Sequence, residues 1–201
     1  MMQDQYNKFF PASLELETPR VTLRLLQTSD ADALAAIAAP PEIWTYFTAE
    51  LNNRENLDQW IATALQERAE KKRMPFVIID KSTGAICGST SFGNISFYDK
   101  RIEIGWTWLG TASMGSGVNH HAKFILLTYA FEALQFERVE IKTDNLNARA
   151  KQALVHIGAR EEGVLRSHMQ MPHGRRRDSV YYSILKEDWD TVKMLYFGDL
   201  A

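Results

Sequence analysis

Arg101-Ile102-Glu103-Ile104-Gly105-Trp106-Thr107-Trp108, then a short loop, then Gly115-Ser116-Gly117-Val118-Asn119 opening a long apolar run: this stretch decides how the chain folds. The octapeptide alternates as a strand does. Ile102, Ile104, Trp106 and Trp108 fall on one face, and Arg101, Glu103, Gly105 and Thr107 on the other. Residues 118–134 are apolar with few polar breaks (Lys123, Thr128, Glu132), which predicts a buried helix, and 138–143 alternate again. Strand, helix and strand with short connections predict a parallel pair joined by a right-handed crossover.

The rest of the chain extends that unit on both sides. Upstream, 21–26 read as a strand, Asp30 is placed to cap a short helix through Ile37, and Pro40-Pro41 stops it. Leu57, Trp60, Ile61, Ala64, Leu65 and Arg68 follow helical spacing within 56–72. Phe76-Val77-Ile78-Ile79 is a buried-strand run, and Ser82-Thr83-Gly84 supplies hairpin-turn chemistry ahead of a strand over 85–95. Downstream, Asn147 can cap a helix whose inner face is Ala150, Ala153, Leu154 and Ile157, with Gly158 as its stop. Segments 160–171 and 176–185 flank Pro172-His173-Gly174 as a hairpin, and 187–197 read as a last short helix. With no repeat, low-complexity tract or linker, residues 1–201 are expected to be one domain with a loose arm over 1–17. The class is α+β, a mixed sheet of six or seven strands flanked by helices.

Composition bounds the function. A chain of 201 residues that is 45% hydrophobic and 24% charged has material for a sizeable core. Its net charge of −2 argues against a dedicated nucleic-acid binder, where a basic domain is expected. The single cysteine, Cys87, excludes an internal disulfide, and no Cys/His cluster has zinc spacing, so no metal is expected. The first ten residues lack a leader pattern and no run of about 18 apolar residues occurs, so the expectation is a cytoplasmic protein without a membrane anchor.

Two glycines just before a helix let the backbone turn tightly and leave N–H groups pointing outward with the positive end of the helix dipole, which is a phosphate cradle. A plain turn needing glycine gives the same pattern. A Walker loop is excluded because no Gly-Lys-Ser/Thr follows. A dinucleotide fingerprint is excluded because six residues separate Trp108 from Gly115 and position 120 is His.

The order Glu103-Ile104-Gly105-Trp106, Gly115-x-Gly117-Val118-Asn119, Tyr129-Ala130-Phe131-Glu132, Asn147-x-Arg149, Gly158 and Glu162-Gly163 resembles the GNAT superfamily of acyl-CoA-dependent N-acetyltransferases. Arg177-Asp178-Ser179-Val180-Tyr181-Tyr182-Ser183 adds a likeness to the branch of ribosomal-protein N-terminal acetyltransferases. The resemblance implies that acetyl-CoA, as co-substrate, enters where two parallel central strands splay apart, the strands of Glu103 and Glu140. It implies that Trp106, Thr107, Trp108 and Leu109 offer backbone groups to the pantetheine arm. The pyrophosphate would sit on Gly115, Ser116, Gly117, Val118 and Asn119 with His120, and Asn147 would contact the pantetheine. It also implies a primary-amine acceptor, with a protein N-terminal α-amine favoured over a small molecule, and a homodimer as a common assembly. Where the family carries Gln or Arg ahead of the glycine loop this chain has Ala112. Where many members carry an acidic hydroxyl it has Ala150 and Leu154, and Ala159 replaces a usual aromatic. The absent hydroxyls at 150 and 154 motivate an alternative of a different class, a non-catalytic acyl-CoA-binding or sensing module.

The missing hydroxyls need not stop transfer, because a thiol of pKa ~8.5 leaves tolerably as a thiolate. The amine must lose a proton, and an α-amine at ~7.7–8.0 does so more readily than a lysine at ~10.4. Glu103, beside Gly105, is the candidate base, and a structural pair with Arg101 or Arg138 is its other reading. His120 and His121 point different ways and do not make a metal pair. Cys87 reads as a small buried residue. The Arg175-Arg176-Arg177 run is either a solvated turn or a contact for an acidic group. Trp44, Tyr46, Phe47 and Trp60 are either acceptor-pocket walls or core.

Overall fold

In the computed structural model, which describes residues 2–200, the N-terminal segment is not a loose arm. It forms helix α1 (Met2–Phe9) and strand β1 (Glu15–Glu17). Leu16 lies opposite Leu23 of β2 (Val21–Leu25), and Tyr6 and Phe10 are buried, Phe10 against Phe92 and Phe97. Met1 and Ala201, the ends of the expected single-domain span, lie outside the described residues.

Helix α2 (Ala31–Ala38) follows, but Asp30 does not cap it. Its carboxylate is taken by the Arg24 guanidinium at 2.8 Å and the Gln27 amide at 2.8 Å, an ion pair outcompeting the helix end. Helix α3 (Arg54–Ala69) starts earlier than its apolar spacing indicates because the Asn53 side chain accepts from the Asn56 amide at 2.9 Å. Then come β3 (Arg73–Asp80), β4 (Ala85–Ser96) and β5 (Arg101–Leu109). Helix α4 (Val118–Thr128) continues into a π-helical turn, Tyr129–Ala133, and leads to β6 (Arg138–Asp144). Helix α5 (Ala148–Val155), the hairpin β7 (Arg160–Gln170) and β8 (Arg176–Leu185), and helix α6 (Trp189–Phe197) complete the chain.

The sheet has eight strands in the order β1-β2-β3-β4-β5-β6-β8-β7, where six or seven were expected; β1 is the added one. Every neighbouring pair is antiparallel except β5 and β6, the predicted parallel crossover pair. One face packs Ile102, Ile104 and Val139 against Leu126, Leu127 and Leu154 of the helices that follow β5 and β6. The other packs Val77 and Trp108 under Leu34, Leu57 and Ile61 of α2 and α3. Full burial of side chains this size stabilises by about 1.5–3 kcal/mol each.

The alternation expected in β5 breaks at Trp106. Gly105 opposes Ser91 and Trp108 opposes Ser89, so Trp106 and Thr107 together face the single residue Thr90. Trp106 absorbs the extra residue at φ 52°. A bulge of this kind shifts the side-chain period by one. Ile102 and Ile104 therefore face α4, whereas Trp106 and Trp108 turn to the α3 face that Glu103 occupies. Thr107 turns to α4 instead, where Lys123 donates to its hydroxyl.

Candidate active site

β5 and β6 pair at only three positions, Arg101–Arg138, Ile102–Val139 and Glu103–Glu140. Beyond them β5 stays with β4 and β6 stays with β8, from Ile141–Tyr182 to Asp144–Ser179. Each strand is held on its outer edge and the inner edges diverge. Residues 106–109 thus line one side of the gap with no strand partner there, and the bulge at Trp106 marks where the opening begins. Strain at a non-glycine residue of positive φ is characteristic of functional sites.

The glycine loop stands at the far end of β5. Gly115 and Gly117 have φ of 75° and 88°, conformations that favour glycine, and a Cβ on either would meet nothing within 4 Å. Ser116 Oγ donates to the Ser113 carbonyl at 2.8 Å and tightens the turn. Among the described residues nothing accepts from the amides of Gly115, Gly117 or Asn119, and the buried Asn119 Oδ1 also lacks a partner. Open space, free amides and the start of the 11-residue α4 fit a phosphate group. His120 lies at this helix start, with its ring stacked on Phe197 at 4.6 Å. His121 Nδ1 is 3.1 Å from Thr18 Oγ1, and burial lowers its pKa.

Asn147 caps α5, its Oδ1 accepting from the Ala150 amide at 3.0 Å. Two positions on, Arg149 reaches across to Met114 Sδ at 3.0 Å and so ties the start of α5 to the glycine loop. Leu154 is packed in the core, so that position serves structure.

Glu103 is buried, at 3% exposure, with its carboxylate on the α3 face. Its partner is neither Arg101 nor Arg138. Lys142 Nζ donates to both carboxylate oxygens at 2.8 and 2.7 Å, and Asn94 Nδ2 donates at 2.6 Å. Arg138 is engaged instead by Glu140 and Glu162. A Cβ at Gly105 would come within 2.9 Å of Glu103 Oε1, which explains the glycine there. Lys142 also lies 5.7 Å from the Tyr181 ring centre. His168 Nδ1 bonds Ser179 Oγ at 3.0 Å, and burial with the nearby charges of Lys142, Arg177 and Arg176 holds its pKa below the ordinary value.

The arginine run is only partly solvated: Arg176 is exposed and Arg177 is buried. Arg175 pairs with buried Asp144 and Arg176 with Ser167, while Arg177 is buried and desolvation lowers its pKa. Cys87 is buried, its thiol pushed up to about 11, and inert in that state. Trp44, Phe47 and Trp60 join Arg73, Trp106 and Trp108 around a cavity of about 150 Å³ on the α3 face. Lys142, Asn94, Arg73 and Lys123 carry no local motif; only the pairing of distant segments brings them here. Among the described residues no cluster of three or more His, Cys, Asp or Glu is placed to hold a metal ion, and no helix is long and apolar enough to cross a membrane.

Comparison with known proteins agrees with this geometry. Residues 20–160 match the family model of the acetyltransferase (GNAT) domain. The chain is 28% identical over 188 residues to a Bacillus subtilis (strain 168) protein named "Putative ribosomal N-acetyltransferase YdaF", covering 86% of this chain and 95% of that one. It is 30% identical over 179 residues to the "Uncharacterized N-acetyltransferase p20" of Bacillus licheniformis, covering 87% and 97%. The crystal structure of a GCN5-related N-acetyltransferase from Brucella melitensis superimposes with a TM-score of 0.87 at 26% identity, covering 95% of this chain and 87% of that one. With the splayed strands, the glycine loop and a family match over most of its length, the chain belongs to the GNAT acetyltransferase family.

Proposed function

We propose that this acetyltransferase moves an acetyl group from acetyl-CoA to a primary amine, with a protein N-terminal α-amine as the preferred acceptor. The observation that carries the reading is the abrupt end of β5–β6 pairing after Glu103 and Glu140, ahead of a glycine loop with free amides. Gly115, Ser116, Gly117, Val118 and Asn119 would hold the diphosphate, and the inner edge of Trp106, Thr107, Trp108 and Leu109 would pair with the pantetheine arm. His120 and Asn147 stand at the two helix starts flanking that path.

Bound acetyl-CoA supplies an acyl group on a thiol that leaves without obligatory protonation. The chain's own work is positioning and proton removal. Holding the amine at the mouth of the gap supplies the largest share of the rate, since fixed orientation removes an entropic barrier. Glu103, on the acceptor face, is the candidate to take the amine proton, directly or through water. Lys142 and Asn94 fix the position of its carboxylate. The α-amine preference rests on the lower pKa of such amines and on the similarity to the relative named for ribosomal N-acetylation.

Calorimetric titration with acetyl-CoA, followed by measurement of free CoA release across peptides and small amines, tests the reading. Saturable binding and release that depends on peptides with free N-termini are expected. Release with small amines alone would reassign the acceptor, and no binding would overturn the proposal.

A further inference from the structure

Lys123 is a buried amine on α4 that the proposed transfer does not use. Its Nζ donates to Thr107 Oγ1 at 2.8 Å, and that oxygen lies 2.8 Å from Oγ1 of the fully buried Thr90 on β4. The three side chains form one polar chain inside the layer that Ile102, Ile104, Leu126 and Leu127 otherwise fill with apolar atoms. Burying an amine among apolar groups is costly, and a methionine would fill the same length without that cost. The contact that the amine makes is therefore what distinguishes it from an apolar side chain.

That contact falls on the bulge of β5. Regular alternation would leave Thr107 on the α3 face with Glu103, and the bulge turns its hydroxyl into the α4 layer instead. Lys123 and Thr90 supply the partners that a hydroxyl buried there requires. On the opposite face the neighbouring Trp106 is held as firmly. Its ring covers Gly93, where a Cβ would collide with it, and the Arg73 guanidinium lies 4.6 Å from the ring centre. The positive φ of Trp106 is thus pinned from both sides of the sheet.

Lys123 also joins two parts of the chain that a single ligand must span. Its helix starts at Val118, directly after the glycine loop, and Thr107 lies in the part of β5 that has no partner on the side of the gap. One hydrogen bond between them fixes how far the loop stands from that edge. We propose that Lys123 is a positioning residue for the coenzyme: through Thr107 it holds the open edge of β5 at the spacing from α4 that lets one molecule engage loop and edge together. This rests on the reading of the loop as the diphosphate site and of the edge as the pantetheine site. A surface held ready before its ligand arrives spares the entropy of ordering it on binding, so loss of the tie appears as weaker affinity.

Lys123→Met keeps the length of the side chain and removes the donor. Calorimetry of parent and variant with two ligands tests the proposal: acetyl-CoA, and 3′-phosphoadenosine 5′-diphosphate, which carries the diphosphate but no pantetheine arm. The variant should bind acetyl-CoA about fivefold more weakly or worse and the nucleotide within about twofold of the parent, because only the longer ligand needs the edge of β5 in place. A lysine that serves folding alone would leave both affinities unchanged or lower both alike, and either result overturns the proposal. If Lys123→Met does not fold, Thr90→Val removes the other partner of the Thr107 hydroxyl and is read in the same way. A parent that binds no acetyl-CoA removes the underlying reading and this proposal with it. A parent that binds, with a folded variant that binds equally well, removes this proposal alone.

Discussion

Lys123 Nζ donates to Thr107 Oγ1 at 2.8 Å inside the protein, and Thr107 Oγ1 meets Thr90 Oγ1 at 2.8 Å. Among the described residues no carboxylate stands within ion-pairing reach of the ammonium, which is 4% exposed. Desolvation alone pushes its pKa down to about 7. In the unfolded chain a lysine titrates near ~10.4. Above pH 7 the unfolded state therefore binds one more proton than the folded state, and stability rises with pH at up to ~1.4 kcal/mol per unit.

The clean window for this effect is pH 7 to 8.5. Higher, the Cys87 thiol acts in the opposite sense, since burial raises it to about 11 and ionisation then favours the unfolded chain. Urea unfolding should give a larger free energy at pH 8.5 than at pH 7, and Lys123→Met should remove most of that slope while gaining stability at pH 7. An equal slope in the variant would place the titrating group elsewhere.

The parallel crossover and the glycine loop were legible in the sequence because both are local. Alternation, an apolar helix and Gly115-x-Gly117 each signal themselves within a few residues. The two faces of β5 were misread at Trp106, because a bulge there needs φ 52° and no glycine marks it. Strand β1 escaped notice because only Leu16 of its three residues is buried. Lys123 reads only as one of the few polar breaks in the apolar helix, and no local pattern marks Lys142. Their partners, Thr107 and Glu103, lie 16 and 39 residues away, so only the fold brings them together.

Lys142 and Glu103 separate positioning from proton transfer. Lys142→Met leaves the Glu103 carboxylate buried with Asn94 as its remaining donor, and loss of one partner of a buried pair costs about 3 kcal/mol or more. Glu103→Gln keeps the shape and removes the base. If Glu103 takes the amine proton, kcat should fall about 10²-fold, with acetyl-CoA affinity unchanged. A kcat within twofold of the parent would make Glu103 a structural partner of Lys142.

Gly117 offers a test of the phosphate cradle. Alanine there must adopt φ 88°, which costs roughly 1–2 kcal/mol, but its Cβ meets no protein atom. Thermal melting should show that modest loss and nothing more. Calorimetry should show acetyl-CoA binding weakened by more than tenfold, because the methyl projects into the space the loop keeps open. The same loss of stability with acetyl-CoA affinity within twofold of the parent would argue for a turn without a ligand.

Asn147 combines a cap with a free donor, and one substitution pulls them apart. Its Oδ1 accepts from the Ala150 amide at 3.0 Å, while nothing among the described residues accepts from Nδ2. Asn147→Asp keeps an acceptor at the cap and adds a negative charge favoured at a helix N-terminus. Asn147→Ala removes both functions and should cost about 1 kcal/mol of stability. If Nδ2 contacts the pantetheine arm, the aspartate variant should melt within a degree or two of the parent and yet bind acetyl-CoA at least fivefold more weakly. Should the aspartate variant bind as the parent does, Asn147 acts on α5 alone and the pantetheine path owes nothing to its side chain.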